Sequence, residues 1–312
     1  MGYGRYTSSA WVSHSTTRGY DSATTADSLL TATTVDEKMN PLNITVREAR
    51  DSAMNPKSLP IILALDTTGS MGGVILQVIK KFHMILEELI EKKAVEDPTI
   101  MTMFFDDVIY EKNALQVSQF ESDVEAAKQL DAMMITRNGG GNSSESYHLP
   151  LYMAAFKTRT DSMQKRKKRG YLFTVGDEEM PPPLTPEQIK HVFGNDESVT
   201  EPLSYMDLFA AAQRDYHVFH VVVMQGNHAS YKGVDAMKKV WAPIGQSLIT
   251  LDDLNSLPEV IVSTIRICEG EDADAVAKSW SGTTAVTVKN ATGHLAKGAD
   301  SSAADSAGPV EL

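Results

Sequence analysis

The sequence predicts an α/β protein with a doubly wound, mostly parallel central sheet flanked by helices. Three observations lead to this fold class. Short apolar runs rich in β-branched residues indicate strands that are covered on both faces. Segments with apolar residues at steps of three and four indicate amphipathic helices. The two kinds of segment alternate over residues 59–268, which is the pattern of a parallel sheet sandwiched between helices.

The elements follow one another in a regular order. The first strand is LPIILAL, residues 59–65, and its helix follows over residues 74–90. Further strands are expected at residues 99–105, 115–120, 171–175, 217–224 and 247–251. Further helices are expected at residues 121–134, 147–158, 204–216, 232–240 and from 256 onward. Ser256 and Glu259 match a capping box at the start of the last helix, and a long irregular stretch is expected after the prolines at 181–183.

The two ends of the chain differ from this middle. Residues 1–58 are rich in Ser, Thr, Ala and Asp, so we expect an extended, partly disordered arm that is partly ordered by packing on the domain or on a neighbouring subunit. Residues 269–312 are small and acidic, and we expect a partly disordered tail, with a docking helix within 279–296. The sequence thus predicts one domain, residues 59–268, between an arm and a tail.

Charge and composition exclude several classes of protein. A net charge of -12 argues against a general nucleic-acid binder, and the basic run at residues 164–170 is interpreted as a solvated loop beside a buried strand. Cys268 is the only cysteine, so the chain forms no internal disulfide. The start of the chain lacks the apolar region of a signal peptide, and no run is long enough to span a membrane. We therefore expect a cytoplasmic protein.

The first predicted strand ends in the sequence DTTGS, and three known motifs fail to match it. An aspartic protease has one residue fewer between the aspartate and Gly69. A haloacid-dehalogenase phosphatase needs a second carboxylate where Thr68 stands, and a phosphate-binding P-loop needs a lysine that this stretch lacks. Oxygen-bearing side chains remain at alternate positions, Asp66, Thr68 and Ser70. They can converge on one point, and hard oxygen ligands suit Mg²⁺ or Mn²⁺.

This motif resembles the first loop of the von Willebrand factor type A (VWA) family, whose metal-ion-dependent adhesion site reads D-x-[ST]-x-S. The resemblance covers residues 59–268 and implies a Rossmann-like VWA fold. Asp177, in FTVGDEE, matches the aspartate of the family's third loop. The second loop, GGGNSSES, has Asn142 where the family has a threonine or an aspartate, and the rivals for this position are Ser143, Ser144 and Glu145. The metal ligands that the resemblance implies are Asp66, Thr68, Ser70, Asn142 and Asp177.

The resemblance also implies a function. A Mg²⁺ or Mn²⁺ ion that is held by only two carboxylates, Asp66 and Asp177, stays electrophilic and binds a glutamate or aspartate of a partner protein. No general base or nucleophile pair is apparent beside it, so we expect an interaction module and not an enzyme. Intracellular prokaryotic or phage-encoded members of this type often act beside AAA-type ATPases. Such an ATPase, or another subunit of the same complex, is the expected partner; nucleic acid and membranes are not.

Two alternatives remain open. The chain could be a magnesium-dependent hydrolase that uses Asp66 as nucleophile or metal ligand and Glu178 or Glu145 as base. It could instead be a structural subunit whose acidic tails assemble copies while the metal braces loops. The remaining polar candidates are Asp106 and Asp107, interpreted as a turn at a strand end, and the histidines 191, 217, 220 and 228, which show no ligand spacing with nearby carboxylates.

Overall fold

A central sheet organises the part of the chain that the computed structural model describes, residues 4–136, 144–194, 196 and 198–295. The strands are β1 (Arg47–Ala49), β2 (Ser58–Asp66), β3 (Asp97–Phe105), β4 (Leu115–Val117), β5 (Thr158–Thr160), β6 (Gly170–Gly176), β7 (Tyr216–Val223) and β8 (Leu248–Leu251). The α-helices are α1 (Ser8–Arg18), α2 (Gly72–Glu91), α3 (Glu125–Asp131), α4 (His148–Phe156), α5 (Asp161–Arg166), α6 (Pro186–Phe193), α7 (Tyr205–Gln213), α8 (Asn227–Lys232), α9 (Val234–Val240), α10 (Leu257–Cys268), α11 (Ala273–Lys278) and α12 (Gly282–Thr292).

The strand order of the central sheet is β4-β3-β2-β6-β7-β8, and β1 pairs with β5 in a separate two-stranded sheet. The central strands are parallel except for β4, which runs antiparallel to β3 at one edge. From β2 the chain first builds outward to β4 and then returns to the other side of β2 with β6. The strand order therefore reverses between β2 and β6. This confirms the predicted doubly wound α/β fold, in which ligands bind beyond the carboxyl ends of the strands at such a switch point.

Strand β2 lies at the centre of the sheet and is buried along its whole length. Ile61, Leu63 and Leu65 face a core formed with α2 and α10, whereas Ile62 and Ala64 face a second core formed with α4, α6 and α7. Because both faces of the strand are covered, it reads as a continuous apolar run instead of an alternating one.

Two predictions about helices are wrong. The stretch after the prolines contains α6, where the hydroxyl of Thr185 accepts the N–H of Gln188 at 3.3 Å and Gln188 Oε1 accepts the N–H of Thr185 at 2.9 Å. The capping box predicted for α10 does not form, because the hydroxyl of Ser256 donates to Asp253 at 3.2 Å. Glu259, the other member of that box, instead pairs with Lys81 of α2 at 2.9 Å.

The N-terminal segment folds onto the domain. Trp11 of α1 is 5% exposed and stacks on His83 of α2 with 4.9 Å between ring centroids. Tyr20 and Leu29 are equally buried in the same core. Residues 8–44 therefore pack on the domain, which is one of the two ways in which we expected the arm to be ordered, but they form short helices instead of an extended chain. Their apolar residues are too sparse for a periodic pattern, but the large side chains among them reach the face of α2. The domain division at residues 58 and 268 stays a prediction.

The segment before β1 also covers the edge strand β4. The N–H of Val117 donates to the carbonyl of Met39 at 2.9 Å, and Arg47 donates to the carbonyl of Val117 at 2.9 Å. Backbone groups of an exposed edge strand are open to pairing with another chain, and this contact occupies those of Val117.

The C-terminal helices α11 and α12 pack against α10, and α12 also contacts β8. The last residues of the predicted tail, 296–312, lie outside the described residues. Among the helices that the structure describes, none has the length and apolar character that crossing a membrane requires.

Candidate metal centre

The side chains of the loop after β2 have different hydrogen-bond partners. Asp66, the last residue of β2, is fully buried, and its Oδ1 accepts the backbone N–H of Thr68 at 2.8 Å. The hydroxyl of Thr68 is also hydrogen-bonded to Asp66. Thr67 is directed to the neighbouring strand, where its N–H and hydroxyl donate to the carbonyl of Phe105 at 3.0 and 3.1 Å. Asp66 and Thr68 are therefore joined by hydrogen bonds, while Thr67 anchors the loop to β3.

The loop after β6 brings Asp177 to the same edge of the sheet. The pairing of Leu65 with Val175 places Asp66 and Asp177 at the carboxyl ends of adjacent parallel strands, at the switch point. Asp177 is fully buried, and its Oδ2 accepts the backbone N–H of His228 at 3.1 Å. The structure thus brings together the two carboxylates that the sequence predicted.

Aromatic side chains hold this loop in position. The N–H of Glu178 donates to the hydroxyl of Tyr147 at 3.0 Å, and Trp241 Nε1 donates to the carbonyl of Glu178 at 3.2 Å. Both rings are fully buried and meet edge to face with 5.4 Å between centroids. His220 lies against Trp241 in the core, where burial lowers its pKa to about 3, so its ring is neutral. These residues position the loop but do not belong to a ligand set.

Two glycines allow the close packing of the site loops. A Cβ atom on Gly226 would lie 2.3 Å from Oδ2 of Asp177. A Cβ atom on Gly176 would lie 2.2 Å from the hydroxyl of Tyr147. Real Cβ atoms do not approach other atoms this closely, so any larger residue at either position has to move the loop that carries Asp177.

The second loop is described only in part. Asn142 and Ser143 lie outside the described residues, as does the side chain of Ser70, whose backbone forms a 3-10 turn over Gly69–Met71. Ser144 forms a single bridge to Glu179. Glu145 is 4% exposed, and burial together with the charge of Asp66 raises its pKa to about 10.

Asp106 and Asp107 follow β3 and form the turn that the sequence predicts. Asp106 Oδ1 accepts the N–H of Asp107 at 2.7 Å, and Asp107 Oδ1 accepts the N–H of Ile109 at 2.8 Å. Both aspartates are buried. Burial raises the pKa of Asp106 to about 6, although a hydrogen bond from Thr136 opposes the rise. Its charge in turn contributes to the raised pKa of Asp66.

The site at the carboxyl ends of β2, β3 and β6 therefore contains too little positive charge to balance its carboxylates. Burial raises the pKa of Asp66 well above its usual value, and the charges of Asp177 and Asp106 add to the rise. In the described part of the chain, Asp66 Oδ2 and Glu145 Oε2 are buried and have no hydrogen-bond partner. Burying a carboxylate without a partner is costly, so a proton or a cation has to compensate.

A divalent cation fits these residues by chemistry. The unpartnered atoms are hard oxygens, which Mg²⁺ and Mn²⁺ prefer. Within the described ranges, no three His, Cys, Asp or Glu side chains come together as a metal-binding group. A cation at this edge would therefore also need hydroxyl, backbone or water oxygens, and the hydroxyl of Thr68 is one such atom.

Sequence reasoning missed His228. Its imidazole lies between two acidic side chains, with Nδ1 3.2 Å from Glu178 Oε2 and Nε2 3.3 Å from Glu179 Oε1. Lys232 binds Glu179 as well, at 2.9 Å. About 50 residues separate these partners along the chain, so no spacing rule could have found them. Gly226, three residues beyond the end of β7, was the one available sign of a close approach.

Comparisons with known proteins assign no family. No protein-family model matches the sequence, and no curated protein matches it.

Among solved structures, the open form of the pilus adhesin SpaC from Lactobacillus rhamnosus GG is similar with a TM-score of 0.46 and 10% identity, over 70% of this chain and 31% of the adhesin. This chain thus spans about a third of the adhesin's length. The conserved hypothetical protein BatB from Bacteroides thetaiotaomicron is similar with a TM-score of 0.39 and 14% identity, over 65% of this chain and 95% of BatB. Proximal thread matrix protein 1 from the mussel byssus has a TM-score of 0.39 and 8% identity, over 72% of this chain and 46% of its own.

Proposed function

We propose that this chain is a VWA-type interaction module that depends on Mg²⁺ or Mn²⁺ and binds a glutamate or aspartate of a partner protein. The observation that carries the proposal is Asp66. It is fully buried at the switch point of a doubly wound sheet, and its Oδ2 has no hydrogen-bond partner in the described part of the chain. A buried carboxylate oxygen in such a place is a ready ligand for a cation.

The protein's own residues divide the work of the site. Asp66 and Thr68 supply oxygens from the loop after β2, and Asp177 supplies a carboxylate from the loop after β6. Ser70 and Asn142 belong to the ligand set by resemblance alone. A bound divalent cation would supply the positive charge that these carboxylates lack, together with coordination positions open to an oxygen of another protein. Tyr147 and Trp241 fix the Asp177 loop, which keeps the site preformed.

The partner, the cellular location and the lack of catalysis are parts of the same proposal. We infer a cytoplasmic protein that acts beside an AAA-type ATPase or another subunit of the same complex. We do not expect hydrolysis, because Thr68 stands where an acid would protonate a leaving group. Glu178, one of the two candidate bases, lies 3.2 Å from the imidazole of His228.

The test is the substitution Asp66→Ala. We expect wild-type protein to bind Mn²⁺ in calorimetry and to gain thermal stability with Mg²⁺, and the variant to lose both while it keeps its circular dichroism spectrum. Asp252→Ala, which removes an exposed aspartate just beyond β8, is the matched control and should behave as wild type. Unchanged Mn²⁺ binding by Asp66→Ala would overturn the proposal. Magnesium-dependent release of phosphate from an aryl phosphate, lost in the same variant, would favour the hydrolase instead.

A further inference from the structure

We propose that a cavity between the N-terminal segment and α3 binds the phosphate group of a small ligand, with Arg47, Lys38 and Lys128 as the donors. The cavity has a volume of about 430 Å³, which lies within the range of small-ligand sites. None of the residues that line it belongs to the candidate metal centre, so this site is independent of the proposed function.

Arg47 carries a positive charge that the described part of the chain does not balance. Its Nη2 donates to the carbonyls of Lys38 and Val117, and its Nε is buried without a hydrogen-bond partner among the described residues. Burial lowers the pKa of Arg47 to about 10, and no described acidic group opposes the shift. A charge that has lost its water is costly unless an anion compensates for it.

Other arginines of this chain have the carboxylate that Arg47 lacks. The guanidinium of Arg166 is 2.7 Å from Asp51, and that of Arg266, which is 6% exposed, is 2.7 Å from Glu271. A bound anion in the cavity would give Arg47 the partner that the chain itself gives to these two. The planar guanidinium matches the oxygens of a phosphate group well.

The side chains that line the cavity have a surplus of two positive charges. Lys38, Arg47 and Lys128 are the cations, and Asp36 is the one carboxylate. Asp36 is exposed, and its Oδ1 accepts the backbone N–H of Lys38 at 2.8 Å. Lys128 also pairs with Glu125, but both side chains are 50% exposed, so this pair is weak. A phosphate monoester carries about −1.5 to −2 charges at pH 7, which matches the surplus better than a single carboxylate does.

A second cavity adjoins the first and shows where the phosphate group belongs. It has a volume of about 570 Å³ and shares Asp36 and Lys128 with the first. Its own basic side chains, His14 and Arg18, each lie 2.9 Å from Asp131. Because Asp131 already pairs with them, the unbalanced charge lies in the first cavity. The second has room for the remainder of an organic phosphate.

Phosphate binding here also restrains the segment that protects β4. Met39 lines the cavity, and its carbonyl accepts the N–H of Val117 at 2.9 Å. Arg47 donates to the carbonyl of Val117 at 2.9 Å. An anion that holds Lys38 and Arg47 together therefore stabilises both contacts, and the amide of Val117 should exchange its hydrogen more slowly when phosphate is bound.

The experiment is calorimetric titration of the full chain with inorganic phosphate and with glycerol phosphate, in EDTA and at constant ionic strength. EDTA removes divalent cations, so the result does not depend on the proposed metal site. A hydrogen bond to a charged group is worth about tenfold in affinity or more. We therefore expect Arg47→Met to weaken phosphate binding at least that much. Lys38→Met, at an exposed position, should weaken it about threefold. Whichever of the two probes binds more tightly identifies the ligand as free phosphate or as an organic phosphate.

The control is Lys239→Met, which removes an exposed lysine of α9 that does not line the cavity and should bind phosphate as wild type does. Phosphate should slow the exchange of the Val117 amide in wild type and in this control, and less in Lys38→Met. If Arg47→Met does not fold, the comparison of Lys38→Met with Lys239→Met decides. Wild type that binds phosphate no more tightly than acetate overturns the inference. Phosphate binding that is equal in Lys38→Met and Lys239→Met also overturns it, because the anion then binds elsewhere.

Discussion

The carboxylates of Asp131 and Asp66 have little solvent exposure, 8% for the side chain of Asp131 and none for Asp66, but they lie in different regions of this molecule and have opposite surroundings. Asp131, at the end of α3, accepts the hydroxyl of Tyr20 at 2.6 Å on Oδ1 and is 2.9 Å from both His14 Nε2 and Arg18 Nε on Oδ2. Asp66 has an oxygen with no partner among the described residues. Burial alone therefore does not mark a functional carboxylate. What distinguishes the two is whether the surrounding chain satisfies the charge.

Asp161 resembles Asp131, because neighbouring residues satisfy the charge of its carboxylate. Its carboxylate is bound by Arg50 at 2.8 Å, by Lys165 at 2.6 Å and by the N–H of Asp51 at 2.9 Å. These contacts tie α5 to the segment before β2. They also account for part of the basic run at residues 164–170, whose side chains pair with acidic neighbours. The interpretation of that run as a plain solvated loop was therefore incomplete, because residues up to 166 are helical.

The largest expected effect comes from Asp131→Ala. Removing this carboxylate leaves the hydroxyl of buried Tyr20 without its acceptor and removes the ion-pair partner of Arg18, and a buried donor left unsatisfied costs up to about 3 kcal/mol of unfolding free energy. Urea denaturation monitored by circular dichroism measures it. Asp252→Ala, at an exposed site, is the control. A cost below about 1 kcal/mol would show that the donors do not depend on Asp131 and would break the comparison.

A smaller effect, visible only against pH, is expected for Asp161. Burial by itself would raise the pKa of this carboxyl, but the hydrogen bonds from Lys165, the Asp51 backbone and Arg50 outweigh it and lower the pKa to about 2. Because the folded pKa lies below the unfolded one, the stabilisation is complete above about pH 4 and is lost as the pH falls towards 2. Between pH 6 and pH 3, the advantage of wild type over Asp161→Asn in unfolding free energy should therefore shrink by about 1 kcal/mol. Urea denaturation at these two pH values tests it, and curves with a constant separation would contradict it.

The sharpest test of the site's geometry is expected for Gly226→Ala. Gly226 has a φ of -67°, so alanine fits the backbone, but the new Cβ would lie 2.3 Å from both the Cβ and the Oδ2 atom of buried Asp177. We expect weaker Mn²⁺ binding together with some loss of thermal stability without metal, because the loop that carries Asp177 has to shift. Gly72→Ala is the matched control, because nothing lies within 4 Å of the added Cβ. Equal Mn²⁺ affinities in the two variants would show that Asp177 does not serve the cation.

Much of the fold could be predicted because it follows from local patterns of apolar residues in the sequence. The strands from β2 to β8 in the central sheet are short apolar runs, and α2 shows its buried face at steps of three and four residues. Helix α6 was not predicted, although Thr185 and Gln188 form a capping box, because the preceding prolines suggested an irregular segment. The burial of Trp11 and Tyr20 could not be predicted, because it depends on the face of α2 and not on their sequence neighbours.

The candidate site was predictable in part for a similar reason. Asp66 and Asp177 directly follow apolar strands, and parallel pairing brings strand ends together whatever the intervening sequence. Tyr147, Trp241 and His228 could not be found in this way, since each reaches the site from a helix or loop whose position depends on tertiary packing. The roles of Ser70 and Asn142 stay predictions that follow from the resemblance.

The hydrogen bonds that Met39 and Arg47 form with the backbone of Val117 bear on the tendency of the sheet to aggregate. A sheet that ends in a bare strand can recruit the strand of another molecule, and growth by repeated pairing leads to aggregates. Here the protection comes from a segment that precedes the predicted domain, residues 59–268. The sheet that carries the candidate site therefore depends on residues before its predicted boundary to protect its edge strand from pairing with another chain.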